Sequence, residues 1–192
     1  MARPPRGRSG GTAVKIVVTG PFAAGKTTLI RTISEITVLS TEKAVSDVEV
    51  SRKVDTTVAM DFGRITIDRD LVLYLFGTPG QDRFDFMWEI LSEGMLGYVL
   101  LVDASRPDSL NEAASILTAF RSMAHVPFVV GYNRADGLDE VDEGRIRGVL
   151  DLDSEVPIVP CDVTDRESVK SVLLALLYAV VDSLDTATAV QA

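Results

Sequence analysis

The chain has 192 residues, of which 46% are hydrophobic and 24% charged, and a net charge of −9. That length suits a single domain burying about 70% of the surface its unfolded chain exposes. The acidic balance argues against a broad nucleic-acid-binding face, which needs clustered Lys and Arg. A lone cysteine, Cys161, excludes an internal disulfide framework and fits a reducing compartment.

Residues 1–13, MARPPRGRSGGTA, hold three Arg, two Pro and three Gly before any apolar period begins. Such a composition predicts a disordered basic tail. It has no apolar stretch of the kind a secretory signal needs. The longest apolar run, VLLALLYAVV at 172–181, is too short to cross a bilayer. The expectation is a cytoplasmic protein with no membrane insertion and no direct contact with nucleic acid.

VKIVVTG (14–20) opens a series of nearly continuous apolar runs: LVLYLF (71–76), YVLLV (98–102), PFVVGY (127–132) and VPIVP (156–160). Runs apolar at every position suit strands buried on both faces, hence a parallel sheet covered by helices. Helical segments are expected between them, over 26–36, from about 107 to 123, more weakly over 140–150, and after Thr164. SRPD and TDRE read as capping boxes for the second and last of these. Residues 37–57 form a long polar segment without a period. VAMDFGRITI (58–67) then turns through DRD into 71–76, which predicts a hairpin and one antiparallel edge strand. The whole is a three-layer α/β domain over 14–183, with a mostly parallel sheet of about six strands and a flexible tail at 184–192.

The first strand runs straight into GPFAAGKTT, Gly20 to Thr28, which fits G-x-x-x-x-G-K-[ST] with a strand before it and a helix after. Gly20, Pro21, Phe22, Ala23, Ala24 and Gly25 would wrap backbone N–H groups around phosphate oxygens, and the helix start adds its positive dipole end. Lys26 would reach the outer phosphates, the Thr27 hydroxyl would ligate Mg²⁺, and Thr28 completes the loop. This pattern specifies a P-loop nucleoside triphosphate site and no particular base.

The base is read farther on. NRAD, Asn133 to Asp136, follows the fifth apolar run. A carboxylate there accepts from N1–H and N2–H₂ of guanine, a donor pair adenine lacks, which makes Asp136 a guanine selector. Asn133 would tie this loop to the phosphate loop, and the stem of Arg134 would cover the base face. In isolation N-x-x-D is an ordinary turn; its place at a strand end in a P-loop chain is what points to guanine. In PCD (160–162), a backbone N–H around Cys161 and Asp162 could meet guanine O6.

P-loop, TPGQ, NRAD and PCD in that order resemble the Ras-like small GTPases over roughly residues 14–182. More narrowly, TTVAMDFGRI with LYLFGTPGQDRF looks like the small GTPases of actinobacterial conserved operons, the CvnD and MfpB type, which are similar to the gliding-motility GTPase MglA. The resemblance implies a Ras-like G domain that binds GTP and GDP, uses Mg²⁺ and switches shape. It makes Thr57 the switch threonine that meets Mg²⁺ and the γ-phosphate, Gly80 the γ-phosphate sensor, and Gln81 the residue orienting the attacking water, with Lys26 as catalytic cation. It implies regulatory partners as well: a roadblock-fold protein, a sensor-kinase-like protein and, for the MfpB type, a pentapeptide-repeat protein.

Gly77 stands where the family usually has an aspartate that helps hold magnesium, so Mg²⁺ binding is expected to be weakened or rearranged. Asp61, four residues past Thr57, reads as a strand residue instead of a replacement. Phe22 either crowds Gln81 and any inserted arginine or points away and packs under the switch segment. Pro79 stiffens the turn before Gly80, and slow hydrolysis follows. Trp88, Phe84 and Phe86 read either as a partner surface or as packing. Arg83 reads as a solvated arginine, His125 as a helix-end residue and Cys161 as packing beside the base. The leading reading is a slow GTPase switch; the alternatives are a non-hydrolysing guanine-nucleotide scaffold and an ATP-using P-loop kinase, against which Asp136 argues.

Overall fold

In the computed structural model, residues 12–40, 60–80, 86–106, 108–133 and 142–190 are described. Seven strands form one sheet, β1 (Thr12–Thr19), β2 (Leu39–Ser40), β3 (Asp61–Asp68), β4 (Leu71–Gly77), β5 (Gly97–Asp103), β6 (Phe128–Asn133) and β7 (Ile158–Pro160). Their order is β2-β3-β4-β1-β5-β6-β7. β3 runs antiparallel to β4, and β1, β5, β6 and β7 pair in parallel. The expected α/β architecture is thus present, with one addition: the two-residue β2 lies beyond β3, antiparallel to it, in a region that carries no strand pattern.

Alternation along β1 divides the core in two. Ile16 and Val18 face α1 (Lys26–Ile33) and α5 (Arg166–Val190), meeting Leu29, Ile30, Ile33, Val172 and Leu176. Val17 faces the opposite layer of α2 (Phe86–Ser92), α3 (Ser109–Met123) and α4 (Glu143–Leu150), meeting Trp88, Leu117 and Phe120. The central β5 is buried at every residue, which is why YVLLV carries no polar alternation. On α3, Ser109, Ala113, Ile116, Leu117 and Phe120 form the buried stripe at helical spacing.

Helix ends differ from the sequence expectation in two places. α5 is capped by Asp165, whose Oδ2 accepts from Ser168 N–H at 2.8 Å, because Thr164 is held in a turn by Asp162. At α3 no side chain caps the first turn; Ser109 Oγ instead accepts the N–H of Asp103 at 2.9 Å, and Ser105 bonds back to Asp103. α5 also continues to Val190, where a flexible tail was expected from residue 184. α2 falls in a segment with no helical expectation and forms because Trp88 and Leu91 bury on one side. Of the basic tail expected over 1–13, residues 1–11 lie outside the described residues, whereas Thr12 and Ala13 open β1.

Candidate functional site: a two-part cleft at the strand ends

The loops after β1, β4, β6 and β7 meet at the C-terminal edge of the sheet, where open α/β sheets place ligands. The loop from Gly20 to Gly25 alternates backbone handedness, with φ of 140° at Gly20, 61° at Ala23 and 108° at Gly25. Gly20 is obligatory: a Cβ there would sit 2.1 Å from the Leu101 carbonyl oxygen. Successive N–H groups in such a conformation make an anion-binding concavity. Lys26 Nζ is buried and donates to the Gly20 and Pro21 carbonyls, each at 2.7 Å. Arg106 Nη1 donates to the Phe22 carbonyl at 2.7 Å and pairs with Glu112 at 2.9 Å, so the loop is braced from α3. The Phe22 ring is 58% exposed at the mouth of the cleft.

The phosphate end is a cavity of about 240 Å³ between this loop and the segment after β4, lined by Lys26, Thr27, Asp61, Thr78 and Gly80 among others. Gly80 lies so close that a Cβ would be 2.7 Å from both Lys26 Nζ and Phe22 N. Thr78 N–H donates to the Val18 carbonyl, and Trp88 Nε1 donates to the Pro79 carbonyl at 3.2 Å, which anchors the turn from below. Trp88 is therefore packing, whereas Phe86 is 50% exposed.

Asp61 lies in β3, as the sequence reading has it, and it also lines the cavity. There Thr27 Oγ1 donates to its Oδ2 at 2.5 Å. Across the β3–β4 ladder Asp61 pairs directly with Gly77. The Asp61 carboxylate thus stands beside position 77, on the neighbouring strand. Position 77 has little room for a side chain: a Cβ would lie 2.9 Å from Ile30 Cδ1 and 3.1 Å from Asp61 Cβ. Asp61 Oδ1 is buried and, among the described residues, has no hydrogen-bond partner. Among the described residues, no three His, Cys, Asp or Glu side chains converge as a metal cluster.

The base end is a larger cavity of about 460 Å³ that shares Gly25 and Thr28 with the first and extends to Tyr132, Asn133, Cys161 and Ser168. Asn133 is buried, and its Nδ2 donates to the Ala24 carbonyl at 3.0 Å, which links β6 to the phosphate loop. The N–H of Cys161 donates to the Tyr132 carbonyl and that of Asp162 to Ser168 Oγ, both at 2.9 Å. Val163 N–H reaches Asn133 Oδ1 only at 3.5 Å. Of these three N–H groups, that of Val163 is held least closely. Burial, and then the Asp162 carboxylate, push the Cys161 thiol up to about 12, so it is a neutral packing group. The Asp162 carboxylate is held below its usual range by the Thr164 hydroxyl and N–H. Thr57, Gln81, Arg83, Phe84, Arg134 and Asp136 lie outside the described residues.

Comparison with known proteins agrees with this arrangement. The family described as "Conserved hypothetical ATP binding protein" matches residues 18–183. An uncharacterized protein of Methanocaldococcus jannaschii is 31% identical over 133 residues, covering 69% of this chain and 77% of that protein. ADP-ribosylation factor-like protein 3 of Saccharomyces cerevisiae is 24% identical over 143 residues, covering 73% and 69%. With a P-loop strand, loop and helix inside the matched span, the chain belongs to this family of conserved P-loop nucleotide-binding proteins.

Proposed function

We propose that the chain is a small guanine-nucleotide-binding switch that binds GTP and GDP and hydrolyses GTP slowly. The observation carrying this reading is the continuous cleft in which Lys26, Thr27 and Asp61 line one end and Asn133 and the Cys161–Thr164 loop line the other. The family's description names ATP. Guanine is preferred here because Asp136 offers a carboxylate to a donor pair that adenine does not present. Within the small GTPases, TTVAMDFGRI and FGTPGQ favour the actinobacterial conserved-operon type, with the roadblock-fold, sensor-kinase-like and pentapeptide-repeat partners that type implies.

The residues present fit a magnesium ion. The unpartnered Asp61 Oδ1 is an acceptor with nothing else to do, and Thr27 gives its proton to Asp61 Oδ2, which leaves its oxygen lone pairs for a cation. Magnesium needs only one or two protein oxygens when phosphates and waters supply the rest. When bound, the ion neutralises charge building on the β- and γ-phosphates. Thr27, Asp61 and Thr57 would hold it. Lys26 and the loop N–H groups stabilise the phosphoryl oxygens. Gln81 orients a water that attacks the γ-phosphorus; the bond to the bridging oxygen breaks, GDP leaves, and the water's proton is released with phosphate. Phe22, exposed at the cleft mouth, would stand in the path of an inserted arginine, which supports the reading of a low rate. Phosphate release from purified GTP tests hydrolysis. No turnover above background, with nucleotide still bound, would leave the non-hydrolysing scaffold as the answer.

A further inference from the structure

The last helix carries a stripe that no described residue of the chain covers. On α5, Leu174, Tyr178 and Val181 recur at spacings of four and three, which places them on one side. They are 49%, 68% and 52% exposed, and Leu184 on their flank is 58% exposed. Val180 is the last buried residue of the helix among those described; from Val181 to Thr188 each described side chain is exposed. The final stretch, Val181 to Val190, thus runs roughly 15 Å without burying a described side chain. Helices hold chiefly through packing of an apolar face, and this face has no partner among the described residues. Lys170 stands at one end of the stripe and the exposed Asp185 at the other.

We propose that α5 is a homodimer face on which a second copy of this chain lies antiparallel. A two-fold axis between Leu177 and Tyr178 sets Leu174 against the second copy's Val181 and Lys170 against its Asp185, each pair occurring twice. A parallel overlay would instead set Lys170 on Lys170 and Asp185 on Asp185, so the order of charge selects the antiparallel arrangement. Lys170 already meets Glu167 at 2.5 Å, but an ammonium has three donors, and two remain for a second carboxylate. Beside Leu174, a groove of about 240 Å³ opens between α5 and β3, with Ile65, Ile67, Leu173 and Leu177 as its apolar lining and Glu35, Thr66, Arg166 and Lys170 at its polar edge. It lies on the flank to which Leu184 belongs, and receives that residue from the second copy. The four exposed side chains offer on the order of 450 Å², against ~800 Å² per partner in a standard stable interface. The dimer is accordingly weak, with a dissociation constant on the order of 100 μM.

Sedimentation velocity on the full chain, from about 5 to 500 μM at low salt, tests this; the expected result is a shift toward twice the monomer mass across that range. Tyr178→Asp removes the shift. Lys170→Glu and Asp185→Lys each weaken dimerisation about five- to tenfold, and the double variant K170E/D185K restores it, because the swapped charges meet across the axis. All three positions are surface residues, so circular dichroism is expected to be unchanged. A monomer throughout the range, a dimer indifferent to Tyr178→Asp, or a double variant no better than the single ones would overturn the proposal.

Discussion

Asp61→Asn isolates the charge that β3 supplies to the phosphate end of the cleft. The amide keeps the volume, and its oxygen can still accept from Thr27, so metal-free stability is expected to move by no more than about 1 kcal/mol. The effect on a cation is larger. A unit charge about 4 Å from a divalent ion at an effective dielectric of ~20 contributes ~8 kcal/mol as a ceiling, and loss of a metal-supporting group typically costs about 10- to 100-fold. Magnesium affinity of the nucleotide complex should therefore fall about 10- to 100-fold. At saturating ligand a 100-fold loss removes about 2.7 kcal/mol of ligand-linked stability, which lowers the Tm of the Mg²⁺–nucleotide form by roughly 5–10 °C. Differential scanning fluorimetry with and without EDTA reads both arms at once. A Mg²⁺-dependent Tm gain equal to that of the unaltered chain would refute the assignment of Asp61 to the ion.

Gly77→Asp, which in a conventional pocket would tighten magnesium binding, should here do the opposite. Its Cβ would crowd Asp61 Cβ at 3.1 Å and place two carboxylates side by side; stability should drop by at least about 2 kcal/mol in denaturant titration. Moving the carboxylate instead, with Asp61→Gly plus Gly77→Asp, should recover Mg²⁺ affinity lost in Asp61→Gly alone. Asp136→Asn should erase most of the preference for GTP over ATP in a competition assay, and an unchanged ratio would mean that another group reads the base. Cys161, raised to about 12 by burial, holds its proton in the folded chain while the unfolded thiol loses it near 9. Its contribution to stability is complete below pH 9 and is lost as pH climbs from there toward 12. Alkylation of native protein at pH 8 should run at least about 100-fold slower than after unfolding, and rapid native labelling would contradict the burial.

The sheet and its two helical layers were legible because buried parallel strands leave uninterrupted apolar runs, as in YVLLV, and α3 leaves a clean helical stripe. The P-loop was legible for a different reason: Gly20 and Gly25 answer a backbone requirement that few other residues meet. Asp61 was not legible as part of the site. Strand pairing brings it opposite Gly77, and that register is a non-local fact which neither segment contains. Arg106 was hidden similarly, since SRPD resembles a helix cap while its guanidinium reaches the Phe22 carbonyl 84 positions away. α2 escaped because its seven residues carry too short a period, and its Trp88 is fixed by Pro79 instead.

The central claim is most directly tested by equilibrium displacement of a fluorescent guanine nucleotide from the full chain, with GTP and ATP as competitors, in Mg²⁺ and then in EDTA. The account predicts displacement by GTP at least about 100-fold more effective than by ATP, with affinity falling when the ion is withdrawn. Equal competition by ATP, or binding indifferent to EDTA, would contradict it.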